Sequence, residues 1–541
     1  MSTPPSTPST SRPPRVAVYG WGLVAPRARN MTQFAQVLEQ GGSALSLATD
    51  LGLGRRLFMV GDPSFDLEDY RRFIVERSGE ARFAQLGSKM GDNALFAIGA
   101  TIQAVESNPG LEAALRAADR QAHIYIGSGV GDIAETANAD AEFRRASRIW
   151  NRFWADPARC PSLRRYRDDG TPPAGEGPPP DPSAFEVDSE ERLVARAAWD
   201  AFWASHSDQL EVFERRYAEI EGSVVSDDDK ASLDALKARQ RVQRKLIAEV
   251  GCPTPPWVAV DPRMLWAIQN VPAAQVSMLL GLHGAAFAPV AACSTFGVAL
   301  KLGYDAIARG EAKLCIVGTT DPRPHPALVS AFHRSRLVTG CGAVNFPLTG
   351  MLGTHVAGGA CIWVLGETNF MREQGLTPIA PEIAAVTVSS DAEHIITPSA
   401  EGPKNAIRSA LGQADATPAS IAVWDMHATG TPGDLAELRL ISEFLGPRTQ
   451  LSARKGIFGH GMANAGGWEL TALAMDVMNG RSGPTGIPRK ALHPAVEREH
   501  GQRLGGTATA ALSSPVAAKL MLGIGGITAC VILRKNPPGT L

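Results

Sequence analysis

Three residues whose types and surroundings could do covalent chemistry stand out: Cys293, His427 and His460. Cys293 sits in Ala291-Ala292-Cys293-Ser294-Thr295, where a short apolar run gives way to a helical pattern. A thiol at a helix N-terminus faces unpaired backbone N–H groups and the positive end of the helix dipole, which favour the thiolate, the nucleophilic form. Small neighbours leave room for a substrate. His427 follows an apolar run at 421–424 and opens His427-Ala428-Thr429-Gly430-Thr431, with Asp434 and Glu437 beyond it. A histidine at a strand end, in a loop of small residues, can project its ring into a cleft. His460 closes Lys455-Gly456-Ile457-Phe458-Gly459-His460, just before a Gly/Ala-rich helical pattern. A thiol with two imidazoles is a set for nucleophilic catalysis with hydrogen-bond donation or proton transfer. Spacing alone leaves open whether the three converge. Each also has a structural reading, as a buried small residue or a turn histidine.

The elements that must position these residues are legible in outline. A strand-like run at 16–19 is followed by Gly20-Trp21-Gly22 and Pro26, read as a turn into a helix at 31–39. Residues 91–105 read as a buried helix, and 123–126 as a strand ending in Gly127-Ser128-Gly129-Val130-Gly131. That cluster lacks GxGxxG spacing and a phosphate-binding lysine, so it reads as a close turn and not as a nucleotide loop. Strands are expected at 287–291, 312–317, 359–365, 383–388, 421–424, 516–522 and 529–533. Helices are expected at 272–280, 294–310, 405–411 and 465–479. Between about 132 and 252 the character changes. A Pro/Gly-rich stretch at 163–182 is followed by an amphipathic segment at 186–221 carrying Trp199, Phe202, Leu210, Phe213 and Tyr217. Ser226 with Asp229 forms a candidate capping box for a further helix bearing Leu233, Leu236, Val242 and Leu246. This region reads as a helical insertion.

Bulk composition bounds the function. The chain has 541 residues, 44% hydrophobic and 20% charged, with 54 glycines and a formal charge of −2. This is the composition of a globular α/β protein with room for two packed halves. The charge balance offers no surface that would track phosphates, so nucleic acid is not an expected partner. Seven scattered cysteines, with no CxxC and no metal-ligand spacing, point to a reducing, cytoplasmic setting without a metal or bound cofactor. Apolar runs are interrupted well before the roughly 18 residues that a membrane span needs. Residues 1–14, rich in Ser, Thr and Pro, read as a floppy tail.

Taken in order, several of these motifs resemble those of the β-ketoacyl synthases, condensing enzymes of the thiolase-like superfamily. They are the opening strand and turn at 15–26, Gly127 to Gly131, Ala292-Cys293-Ser294, and Asp391-Ala392-Glu393-His394 with Thr397-Pro398 and Glu401-Gly402. His427 to Thr431, Lys455 with Gly459-His460, and Gly523-Ile524-Gly525-Gly526 complete the set. The resemblance covers most of 15–131 and 253–538. It implies a five-layered α/β/α/β/α fold from two related halves, 15–366 and 367–538, with the insertion at about 132–252 in the first.

It also implies roles. Cys293 would carry an acyl group delivered by an acyl carrier protein or acyl-CoA. His427 and His460 would assist loss of carbon dioxide from a malonyl-type thioester, and Lys455 would organise the second histidine. The backbone N–H groups of Cys293 and Ile524 would form an oxyanion hole. Ile524, Gly525, Gly526, Thr429 and Thr431 would shape the pocket, with Ile524 standing where an aromatic gate residue is common. The implied assembly is a homodimer. Two alternatives keep the resemblance: an acyltransferase using the acyl-cysteine without decarboxylation, and a non-catalytic partner subunit.

Overall fold

The computed structural model describes residues 15–49, 51–173, 177–222, 229–391, 400–504 and 509–535. The expected tail at 1–14, Ser226 of the expected capping box, and Glu393, His394 and Thr397-Pro398 lie outside the described residues. The chain divides into two compact units, Met1–Ala134 with Leu265–Leu541, and Glu135–Met264.

The first unit is built on two five-stranded sheets. The first holds β1 (Val16–Val24), β2 (Ala122–Gly127), β3 (Ala286–Phe287), β4 (Leu314–Asp321) and β5 (Gly359–Glu367), in the order β1-β5-β4-β2-β3. The second holds β6 (Glu382–Ser390), β7 (Val423–Asp425), β8 (Gln450–Ser452), β9 (Val516–Gly523) and β10 (Ile527–Arg534), in the order β8-β7-β9-β10-β6. Counting strands from each sheet's own first, the two orders are the same. So are the directions: the first strand pairs antiparallel with the fifth and the fifth antiparallel with the fourth, while the fourth, second and third run parallel. Two halves of one topology therefore form this unit.

Helices complete five layers. Helices α1 (Asp92–Glu106) and α2 (Val271–Leu280) cover the outer face of the first sheet. Helix α3 (Thr295–Ala308) lies between the sheets with α6 (Ala465–Asn479), and α4 (Glu401–Gln413) and α5 (Gly433–Ile441) belong to the outer layer of the second. Strand periodicity fills the apolar layers between them. Along β5, Cys361, Trp363 and Leu365 join the central core while Ile362 and Val364 join the outer one. On β10, Val531 and Leu533 face the centre and Cys530 and Ile532 face away. Enclosed between the two sheets, α6 is buried along almost its whole length, including Glu469 and Asp476. Among the described residues no helix is long and apolar enough to cross a membrane.

Three local expectations need correction. Gly20-Trp21-Gly22 does not turn the chain but continues β1 to Val24. These glycines let the α1 backbone approach: a Cβ at either would collide with a carbonyl oxygen of Ala104 or Ala100. The expected strand at 287–291 shrinks to Ala286–Phe287, since Pro289 has no N–H to give a ladder. The amphipathic segment at 186–221 is two helices, Glu190–Ser205 and Asp208–Glu221. Buried Ser207 breaks it, donating its hydroxyl to Arg159 O (2.7 Å) and accepting from Leu210 N to cap the second helix.

The second unit is helical. Besides those two helices it holds Pro161–Asp169, Asp229–Val250 and all but the first residues of Ile133–Trp154. Aromatic side chains dominate its core: Trp150, Trp154, Phe213 and Tyr217 in one cluster, Trp199 and Trp203 in another.

Candidate active site

The nucleophile candidate lies on the link from β3 to α3. Ala292 takes a left-handed conformation (φ 48°), rare for a residue with a Cβ, and starts a short 3-10 turn, Ala292–Ser294, that presents Cys293 at the head of α3. The turn is tied on both sides. Thr295 Oγ1 accepts from Ala291 N (2.9 Å) and donates to Ala292 O (2.7 Å), and Ser294 Oγ donates to Ile527 O (2.7 Å). The second half repeats the turn ahead of its own central helix: Met462 (φ 50°) starts Met462–Asn464 before α6, which places Ala463 where the first half has Cys293. Asp321, at the end of β4, joins the two regions. Its buried carboxylate accepts from Gly129 N (2.9 Å), Val130 N (3.1 Å), Ser128 Oγ (2.7 Å) and Ala463 N (2.8 Å), and burial pushes its pKa up to about 6.

His427 follows β7 on a loop held by two carboxylates of α5. Glu437 accepts from His427 N (2.6 Å) and Ala428 N (2.8 Å), while Asp434 accepts from Thr429 N and Leu348 N (both 2.8 Å). Burial raises the Glu437 carboxyl to about 7. His460 follows Gly459 (φ 80°), and its amide donates to His355 O (2.6 Å). Its Nδ1 accepts from Met462 N (3.1 Å), which fixes the tautomer with the proton on Nε2.

These loops bring the three residues together. A side-chain ligand atom of each of Cys293, His427 and His460 lies within 4.8 Å of those of the other two, and the imidazoles meet edge to face with centroids 5.6 Å apart. Both imidazoles titrate well below the usual histidine range, first because they are buried and then because Lys455 and Lys519 stand behind them. They are therefore neutral N–H donors near pH 7. Cys293 departs from the expectation of a favoured thiolate: burial lifts its pKa to about 11, and Lys455 and the Ile524 amide offset this only in part. Loss of water around the sulfur outweighs the helix end.

A cysteine with two histidines is also a metal-ligand set. The tautomer of His460 argues against that use. Metal ligation through Nε2 would need a proton on Nδ1, pointed at the N–H of Met462, whereas a ligating histidine donates from its other nitrogen.

The triad lies in the wall of a cavity of about 590 Å³ that Thr429, Thr431 and Ile524 also line, within the size range of small-molecule sites. Gly525 and Gly526, expected in the pocket wall, do not line it. They make the left-handed turn (φ 96° and 74°) that returns β9 into β10, and Gly526 packs on Asp391, leaving no space for a side chain. Lys455 is also outside the cavity. It is buried behind His427, donating to His427 O and to Glu469 (2.9 and 3.1 Å). Around it runs a network that the motifs did not announce. Lys519 pairs with Asp425 (2.8 Å) and Glu469 (2.7 Å), and Arg454 pairs with Asp425 (3.1 Å) and Asp476. Three cations and three anions thus balance. Three of the six carry a sequence signal as a charge set inside an apolar run: Lys519 in Val-Ala-Ala-Lys-Leu-Met-Leu, and Glu469 and Asp476 in the helix of 465–479.

Comparison with known proteins agrees with this architecture. The profile of the beta-ketoacyl synthase N-terminal domain matches residues 178–369 and that of the C-terminal domain residues 381–486, together more than half of the chain. Nodulation protein E of Rhizobium meliloti (strain 1021) is 29% identical over 252 residues, 46% of this chain and 61% of that protein. A 3-oxoacyl-[acyl-carrier-protein] synthase homolog of Saccharomyces cerevisiae is 29% identical over 211 residues, 37% of this chain and 48% of that protein. The chain thus spans about half to three fifths of the length of these relatives. Among solved structures, the ishigamide ketosynthase/chain length factor superposes with a TM-score of 0.67 at 19% identity, over 97% of this chain and 100% of that one. A beta-ketoacyl synthase from Burkholderia phymatum STM815 gives 0.64 at 18% identity, over the same shares. With both domain profiles matched in order and the two-half thiolase-like fold in place, the chain belongs to the beta-ketoacyl synthase family.

Proposed function

We propose that this chain is a decarboxylating condensing enzyme that joins a Cys293-bound acyl group to a malonyl-type thioester. The observation that carries this reading is the meeting of the Cys293 thiol with two neutral imidazoles in the wall of one cavity. In the first step the Cys293 sulfur attacks the carbonyl of an acyl thioester, and the carrier thiol leaves with the proton. The amides of Cys293 and Ile524, both close enough to the sulfur to oppose its raised pKa, would also face the oxyanion. In the second step the bond to the malonyl carboxylate breaks, carbon dioxide departs, and its electron pair becomes an enolate. His427 and His460 donate to the enolate oxygen. The enolate carbon attacks the acyl carbonyl, the Cys293 thiolate leaves and takes a proton from solvent, and a β-ketoacyl thioester is released. Neutral imidazoles suit this role, since they stabilise developing negative charge without first losing a proton.

Three cations, Arg336, Lys404 and Arg439, stand among the lining residues. They suit the phosphate of a pantetheine arm, which acyl carrier proteins and coenzyme A share. The reading is tested by supplying malonyl thioester labelled at the free carboxylate, with and without an acyl thioester. Release of labelled carbon dioxide in step with a β-ketoacyl product is expected. Acyl transfer to another nucleophile with the label retained would instead establish a non-decarboxylating acyltransferase.

A further inference from the structure

We propose that Lys519 is a second positioning cation of the catalytic centre, one that grips the backbone ahead of His427 and shares Glu469 with Lys455. The inference rests on the condensing-enzyme reading for what His427 does, and on geometry for the rest. Lys519 lies on β9 with its side chain fully buried. Its ammonium donates to Met426 O (2.8 Å) and forms ion pairs with Asp425 Oδ1 (2.8 Å) and Glu469 Oε2 (2.7 Å). Lys455 donates to the next carbonyl, His427 O, and to Glu469 Oε1 (2.9 Å). Two consecutive carbonyls, 426 and 427, are therefore each held by a lysine, and one carboxylate bridges the two ammoniums. Asp425 is held in turn by Arg454 (3.1 Å).

This clamp fixes the peptide from which the His427 ring projects. A buried charge network is costly compared with apolar packing of the same volume, so its place directly behind two catalytic imidazoles points to positioning. It also acts through charge. The charged and titratable groups facing His427 are His460, Lys455, Lys519 and Cys293, with Glu437 on its amide. Burial is the largest cause of the depressed imidazole pKa values, and both ammoniums add to it. Removing the charge of Lys519 relieves part of that depression, so each imidazole takes its proton at a higher pH. Asp425 and Glu469 keep the ammonium of Lys519 above its usual range despite burial, so it remains charged throughout the working range.

The test uses the full chain as Lys519→Met and Lys519→Arg. After Lys519→Met, Asp425 retains Arg454 and Glu469 retains Lys455, so no carboxylate is left without a cation. Histidine ring NMR should show the His427 and His460 midpoints rising by about one pH unit in Lys519→Met and staying near wild type in Lys519→Arg. The acid limb of decarboxylation should move upward by the same amount, with kcat falling about tenfold and KM little changed. Unchanged midpoints and an unchanged acid limb in folded Lys519→Met would overturn the proposal and leave Lys519 a packing residue. If Lys519→Met does not fold, Lys519→Met with Asp425→Asn restores the charge balance but still leaves Met426 O without its donor. A tenfold loss of kcat is then expected, and wild-type kcat would overturn the proposal. The titration needs no turnover: a wild type that releases no carbon dioxide would refute the condensing reading, while the midpoints would still decide the place of Lys519.

Discussion

Replacing His460 by alanine is expected to slow carbon dioxide release by about 10²–10³-fold, the cost of removing one preorganised donor to a developing oxyanion. Acyl transfer to Cys293 should survive within about tenfold, because the donors proposed for that step are backbone amides. The split follows from the tautomer. Met462 N donates to His460 Nδ1, so the only ring proton is on Nε2, and burial beside Lys455 and Lys519 keeps the ring neutral. A general base would have needed the opposite state, a free lone pair on Nε2. Single-turnover acylation and decarboxylation, measured separately on a variant with wild-type circular dichroism, check this. Equal loss of both steps would place His460 in the activation of the thiol instead.

Arg454→Met should be the more damaging change to the fold, lowering stability by about 3–5 kcal/mol, the usual cost of breaking a buried ion pair from one side. The guanidinium is 1% exposed and joins Asp425 to Asp476 in the buried charge network behind His427. Without it Asp425 keeps Lys519, but among the described residues Asp476 keeps only the Gly483 amide (3.0 Å). Adding Asp476→Asn removes the stranded charge and should recover much of the loss. Urea unfolding of both variants reads this through the shift in midpoint at constant m. A single variant within about 1 kcal/mol of wild type, with no gain from the second change, would show that the network carries little stability.

The large elements were legible because their burial leaves an unmistakable pattern. Helix α6 occupies the span expected for it, since a Gly/Ala-rich apolar run bounded by Gly480 has few other solutions. The strand at 359–365 was also visible, as a continuous apolar run suits a strand covered on both faces. Errors arose where a residue's meaning depends on a distant partner. Gly20 and Gly22 look like turn glycines, yet their function is to admit the backbone of α1 from about eighty residues away in the chain, a contact no local pattern records.

The site was legible in its residue types and not in its electrostatics. Local sequence puts Cys293 at a helix head, which favours the thiolate, but its burial in the folded site reverses the sign. Likewise Lys519 reads as a stray charge on a strand until Asp425, Glu469 and Met426 O are seen to meet it. The resemblance named Lys455 for its place in a motif. In the fold it lies behind the cavity, bonded to a backbone carbonyl and a carboxylate.

The most direct test of the account is intact-protein mass spectrometry of wild type and Cys293→Ala after incubation with a panel of acyl-carrier and acyl-coenzyme A thioesters. A mass gain equal to one acyl group is expected in wild type, mapped to the peptide containing Cys293 and absent from the alanine variant. An equal gain in both proteins would contradict it, because the acyl group would then be carried elsewhere.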